Sequence, residues 1–185
     1  PSGPPQRSPP ARAPGRDGST SAPCRPSRST HNPPETDFFV LSGVQYALEA
    51  YSGGFLVTDG HHNRVLRVTL DHHAGVESGE VSELIAFDNI VPTGFALSGN
   101  EVFMAQAGPV PHLPEDGKAL SFGLHSLDVS SVASGARLLV DVEFGRGRTL
   151  FGLSQGLFPV GNDPGSPALP NTGALMRANA DGIFT

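Results

Sequence analysis

The residues of this chain best suited to chemistry are its histidines, and four of the seven come in pairs, His61-His62 and His72-His73. Paired imidazoles suggest zinc, which needs three or four convergent ligands. The spacing opposes a shared site. Residues 63–70 read as a strand, and at ~3.3 Å per residue they hold the pairs roughly 26 Å apart. Adjacent strand residues also point to opposite faces, so each pair is read as turn histidines and no metal is assigned. Asp59 and Asn63 bracket the same turn. Their side chains suit bonds to nearby backbone amides, and they also suit a ligand-facing rim together with His61 and His62. Gly152-Leu153-Ser154-Gln155-Gly156 has the spacing of a nucleophile elbow. An elbow must be followed by a helix; here a proline and a loop follow, so no catalytic serine is assigned.

These residues belong to a repeating pattern. Residues 54–70 read GFLVTDGHHNRVLRVTL, residues 101–124 read EVFMAQAGPVPHLPEDGKALSFGL, and a weaker third copy ends in GALMRANA at 173–180. Each is a short apolar strand, a turn-rich loop and a second apolar strand. The pattern after residue 37 is β throughout, with Val, Leu, Phe and Ile runs cut by Gly, Pro, Asn and Asp. Even QYALEA at 45–50 is too short for a helix and suits a strand.

Four-strand units of ~40–50 residues are the signature of propeller blades. The first unit is expected at 44–50, 55–58, 64–70 and 81–87. The second is expected at 94–97, 102–106, 119–122 and 136–139. The third is expected at 140–144, 149–153 and 174–179, with a last strand opening at Ile183-Phe184. Blades then span about 43–88, 92–139 and 140–185. In this register Asp59, Gln106 and Gln155 share one position, at spacings of 47 and 49. The motif P-x-L-P-x-x-G recurs at 111–117 and 167–173, and VESG at 76–79 echoes VASG at 132–135. The two proline loops are stiff connections or a preformed rim, with His112, Glu115, Asp116 and Asn171 as polar contacts.

Composition splits the chain. Residues 1–36 hold ten of the 18 prolines and no Phe, Tyr, Val, Ile or Leu. Such a segment has nothing to bury and is expected to be disordered. Residues 37–185 carry seven basic and 16 acidic residues, a formal charge near −9. That charge argues against nucleic acid, which needs clustered Lys and Arg. The lone Cys24 lies in the tail, so no disulfide forms within the chain. No apolar run approaches the ~20 residues of a membrane span. Residues 1–36 contain no apolar signal-peptide core, and the sequence is expected to be a piece of a longer protein.

The hairpin Asp59, Asn63, Arg64, Val65 resembles an NHL-type blade. VTDGHHNRVLRV, AGPVPHLPEDGK, LSQG and GSPALPNTGALMR together resemble the ScyD/ScyE family of bacterial β-propeller proteins, over residues 43–185. The two P-x-L-P-x-x-G loops are the most specific part. The chain departs from an NHL blade at Gln106 and Gln155, where Asp would stand, and at the insertion Asp71-His72-His73-Ala74. The resemblance implies an all-β fold, about three blades of a six-bladed parent, with open sheet faces at both ends. It also implies export to an extracellular or periplasmic space and no settled catalysis. The expected function is a non-catalytic scaffold that binds a small molecule or a protein. Two alternatives stand beside it. One is a lactonase or esterase that would hold Ca²⁺ at the axis of the complete ring. The other is a protein-interaction platform on the proline-stiffened rim.

Overall fold

The computed structural model describes residues 43–71, 78–109, 112–113, 116–159, 161–162 and 166–185. The expected tail at 1–36, the second histidine pair and Glu115 lie outside them. Among the described residues, eleven strands make three antiparallel sheets, and helix is limited to the short turn Arg146–Arg148. The first sheet is a meander of β1 (Gln45–Tyr51), β2 (Gly54–Asp59), β3 (Arg64–Asp71) and β4 (Ser78–Ala86). The second repeats it with β5 (Pro92–Ser98), β6 (Glu101–Gln106), β7 (Lys118–Gly123) and β8 (Ser130–Ser134). The third is β9 (Leu139–Phe144), β10 (Leu150–Ser154) and β11 (Ala174–Arg177).

The strand that QYALEA suggests is β1. The fourth strand of the second unit differs from expectation: it is β8, at Ser130–Ser134, and the 136–139 stretch is a link that ends in β9. The sequence SSVAS carries little apolar signal because this outermost strand is half wet, whereas Ala136 and Leu138 are buried in the link. The VASG echo fails for the same reason. Its serine closes β8, while the serine of VESG opens β4. Ile183 and Phe184 form isolated bridges, to Ser134 and Ala178. The C-terminal segment thus touches both the second and third sheets.

The register repeats closely. Gln45, Pro92 and Leu139, each 47 residues after the last, pair with the final residue of the following strand, Asp59, Gln106 and Ser154. In all three sheets the pairing shifts at that end, a bulge that bends the strand.

The sheets stack in series. Successive side chains on a strand point to opposite faces, so the middle sheet has two apolar faces. Phe95, Val102, Met104, Leu120 and Phe122 pack against Leu56, Val65 and Ile85 of the first sheet. Ala96, Ala105 and Ala119 pack against Leu139, Val142 and Leu150 of the third. Small residues on one face and large ones on the other let neighbouring sheets interdigitate. Each fully buried large side chain, such as Leu56 or Phe122, contributes about 1.5–3 kcal/mol. Ring pairs add to both contacts, Phe87 tilted against Phe122 and Phe103 edge-on to Phe144.

The initial strands β1, β5 and β9 neighbour one another in that order. A relay of threonines ties them. The Ala47 amide donates to Thr58 Oγ1 at 2.9 Å, and that hydroxyl donates to the Thr93 carbonyl at 2.6 Å. The Thr93 hydroxyl then donates to the Leu139 carbonyl at 2.8 Å. Both threonines are buried, so their two bonds to carbonyls fix how one sheet sits on the next. Further out, Arg67 Nη2 donates to the Leu124 carbonyl at 2.9 Å.

Candidate ligand-facing rim

One edge of the stack is built three times by one backbone bond. The residue after the second strand donates to the carbonyl before the first: Gly60 to Val44, Ala107 to Val91 and Gln155 to Leu138, at 2.9–3.0 Å. The β2–β3 turn, the β6–β7 loop and the β10–β11 loop therefore share this rim. It carries every candidate site residue that the structure describes.

This bond also fixes which side chains correspond. Asp59, Gln106 and Ser154 close their strands, and Gln155 is the counterpart of Gly60 and Ala107. The sequence register placed Gln155 one residue too far. Its side chain is exposed, whereas Ser154 is buried and its hydroxyl donates to the Arg137 carbonyl at 2.5 Å.

Asp59 is fully buried. Its Oδ1 accepts the Val44 amide at 3.1 Å and the His62 amide at 3.4 Å. Its Oδ2 faces His62 Nδ1 at 2.7 Å and accepts Arg64 Nε at 3.0 Å. Burial alone would raise its pKa. The bonds from His62, Val44 and Arg64 outweigh burial and hold it below the usual carboxylate range. Gly43 sits at φ 76°, where any Cβ would fall on this carboxylate. The chain thus enters β1 over Asp59 only as glycine.

Asn63 is buried at φ 52°. Its Oδ1 accepts the amides of Ile90 and Val91 at 3.0 and 2.8 Å, and its carbonyl accepts Phe87 at 2.8 Å. It therefore pins the link between the first two sheets to the β2–β3 turn. His61 is partly buried and meets the His62 ring edge-on at 5.2 Å.

On the second sheet, Gln106 Nε2 donates to the Asp116 carbonyl at 2.6 Å. Its Oε1 is buried without a partner. His112 Nδ1 lies 3.2 Å from the Ala107 carbonyl, so Nδ1 is the donor. The ring packs edge-on against Phe158 of the next loop at 5.2 Å. Burial lowers the His112 pKa, with bonds to Ala107 and Gly108 and the charge of Asp116 opposing. Phe158, Leu138 and Ala107 form a small apolar cluster beneath this corner. Asn171 is exposed in a turn at φ 60°. The loop holding it is shaped by Thr172, whose hydroxyl accepts the Leu157 amide and donates to the Leu169 carbonyl.

The rim is therefore two braced corners, Asp59–His62–Arg64 and Gln106–His112–Asp116. Among the described residues, no three His, Cys, Asp or Glu side chains are placed to share a metal ion. Sequence reasoning missed a separate acidic group on the initial strands. Burial raises the pKa of Glu49, and the charges of Glu143 and Asp141 raise it further. Burial also raises Asp141, with Glu143 adding to it. Glu49 and Glu143 lie two repeats of 47 apart, a signal visible only once the register is known. No helix among the described residues is long and apolar enough to cross a membrane. No family model matches the chain, and no curated protein shows significant similarity to it.

Proposed function

We propose that this chain is an arc of a β-propeller of the ScyD/ScyE kind, exported in its native setting, that binds a ligand at its rim without catalysis. The observation that carries this reading is how the rim side chains are used. Asp59, Asn63, Gln106 and Ser154 all hold backbone. A general base or nucleophile needs a reactive atom aimed at substrate; these atoms are aimed at loops. The result is a stiff, preshaped edge, which favours binding by limiting the entropy lost on association. The test is turnover of a panel of p-nitrophenyl esters and lactones by the purified chain. No turnover is expected. Hydrolysis that disappears in His62→Ala, with the fold retained by circular dichroism, overturns the reading.

A Ca²⁺-dependent hydrolase is the weaker alternative. Glu49, Asp141 and Glu143 feel one another's charge, which a cation would relieve. The described residues do not supply a convergent set of ligands, so no hydrolytic step is assigned to them. The interaction-platform reading has one observation in its favour: Leu157 and Leu169 are exposed on the same proline-rich loop.

A further inference from the structure

The three rim corners share one backbone plan, yet they differ in how their buried side-chain oxygens are served. In the first, both carboxylate oxygens of Asp59 accept bonds, from the amides of Val44 and His62, from the His62 ring and from Arg64 Nε. In the third, the Ser154 hydroxyl donates to the Arg137 carbonyl. In the second, Gln106 is 4% exposed and its Oε1 has no hydrogen-bond partner. The Asp116 carbonyl fixes the orientation of that amide. It can only accept, so Nε2 faces it, at 2.6 Å, and Oε1 takes the other side.

A buried acceptor without a donor bears the full desolvation cost of its oxygen, and folded proteins rarely leave one in that state. The first sheet shows which donor belongs there. Arg64, the register partner of Asp59, gives its Nε proton to the carboxylate at 3.0 Å. Lys118 is the register partner of Gln106, but it leaves Oε1 unbonded. A position that accepts a cationic N–H in the first sheet thus lacks one in the second.

The surroundings of Gln106 suit the same kind of donor. His112 gives its Nδ1 proton to the carbonyl of Ala107, the residue after Gln106, so its Nε2 is a second acceptor. Burial favours the neutral ring that keeps it one. Asp116 adds a negative charge that His112 feels, and residues 37–185 are acidic as a whole. We propose that this corner is a subsite for a primary ammonium, of a free alkylamine or a lysine side chain, with Gln106 Oε1 as its first acceptor and His112 and Asp116 beside it. Oε1 is sealed from solvent, so the donor must be slender and a side chain must give way to admit it. His112 is the one placed to move, being only partly buried and held to Ala107 at 3.2 Å. The inference rests on reading the rim as a binding edge, but the two fail separately. Absence of amine binding leaves the rim free for another ligand, whereas ester turnover sinks the non-catalytic reading without touching the amine subsite.

The test is NMR titration of the full chain with n-butylammonium, a capped lysine tripeptide and tetramethylammonium, which carries the same charge without an N–H. The primary ammonium is expected to bind and to shift the His112 ring signals, and tetramethylammonium is expected to do neither. Binding of n-butylammonium alone assigns the subsite to small amines; binding of the peptide assigns it to lysine side chains. Gln106→Met and Gln106→Glu both lose the donor to the Asp116 carbonyl, so any disturbance of that loop is common to them, and circular dichroism checks the fold of each. Only Gln106→Met also loses the acceptor. It should weaken binding about tenfold or more, the loss of one charge-assisted hydrogen bond, while Gln106→Glu should bind at least as tightly as wild type. Equal weakening in both variants, equal binding of tetramethylammonium, or no binding of either amine overturns the proposal. So does a crystal structure grown with the amine in which a water molecule or Lys118 Nζ bonds Oε1 instead.

Discussion

The Oδ2 atom of Asp59 and the Nδ1 atom of His62 lie 2.7 Å apart across the turn that joins the second and third strands. The carboxylate is the acceptor, so Nδ1 carries the proton and the tautomer of His62 is fixed. Arg64 approaches the same oxygen from the first residue of β3. His62 and Arg64 of one turn thus converge on one buried charge, and the Val44 amide brings the start of the first strand to it.

Replacing Asp59 by Ala removes four hydrogen bonds and leaves Arg64 with only its longer ion pair to Glu83, at 3.8 Å. A charge-assisted bond contributes about 1.5–3 kcal/mol, and these bonds do not add, so a loss of about 3 kcal/mol is expected. Urea denaturation measures it. The pH dependence follows from the depressed pKa. The unfolded chain binds the proton more readily, so the stabilisation is complete above the ordinary Asp value. It fades as pH falls through the lower, folded value. Wild type should lose stability over that acid range, and Asp59→Ala should not show this component.

Asn63 separates two roles that one side chain performs. Its φ of 52° suits Asn and Gly, and its Oδ1 accepts two buried amides. Asn63→Gly keeps the backbone and loses the acceptor. Asn63→Asp keeps both. Asn63→Ala loses the acceptor and adds left-handed strain of about 1–2 kcal/mol. Thermal midpoints should therefore fall in the order wild type, Asp, Gly, Ala. Equal losses for Gly and Ala would show that the backbone conformation contributes nothing.

His112 has a depressed pKa, from burial first, against the pull of Ala107, Gly108 and Asp116. For a base this means the folded state binds its proton less readily than the unfolded chain. Stability is full above the ordinary histidine value, declines as pH falls through it, and levels off below the folded value. His112→Gln should flatten the stability profile between neutral pH and pH ~5, near and below the usual histidine range. An unchanged profile would place the titration elsewhere.

Much of this architecture is legible in the sequence because both faces of the central strands must be apolar. Phe55-Leu56-Val57 and Val102-Phe103-Met104 announce their strands for that reason. β8 escaped because an outermost strand buries only one residue in five, Ala133. The one-residue error at Gln155 has a related cause. The second repeat of strand ends runs 48 residues instead of 47, and the P-x-L-P-x-x-G match sets the loops without setting the strand end. Asn63 was legible as a turn residue, but its bonds to Ile90 and Val91 span 27 and 28 residues. No local pattern encodes such a reach.

The acidic group on the initial strands gives the last prediction, and its sign is opposite to that of Asp59. Burial and the neighbouring carboxylates raise the pKa of Glu49 and Asp141. The folded protein then binds these protons more readily than the unfolded chain, so stability falls as pH rises from the ordinary carboxylate range through the raised values. In their charged forms both groups oppose folding. Glu49→Gln removes one charge while keeping its shape, and should raise the thermal midpoint at pH 7. The gain should vanish at pH ~4, close to the ordinary carboxylate values. It should also shrink in an Asp141→Asn background, because the repulsion is shared. Addition of Ca²⁺ offers a direct contrast: a cation held by these carboxylates would stabilise wild type and leave the Asp141→Asn, Glu49→Gln double variant unmoved. With no convergent ligand set among the described residues, the expected Ca²⁺ shift for the single chain is nil, and a large one would revive the hydrolase alternative.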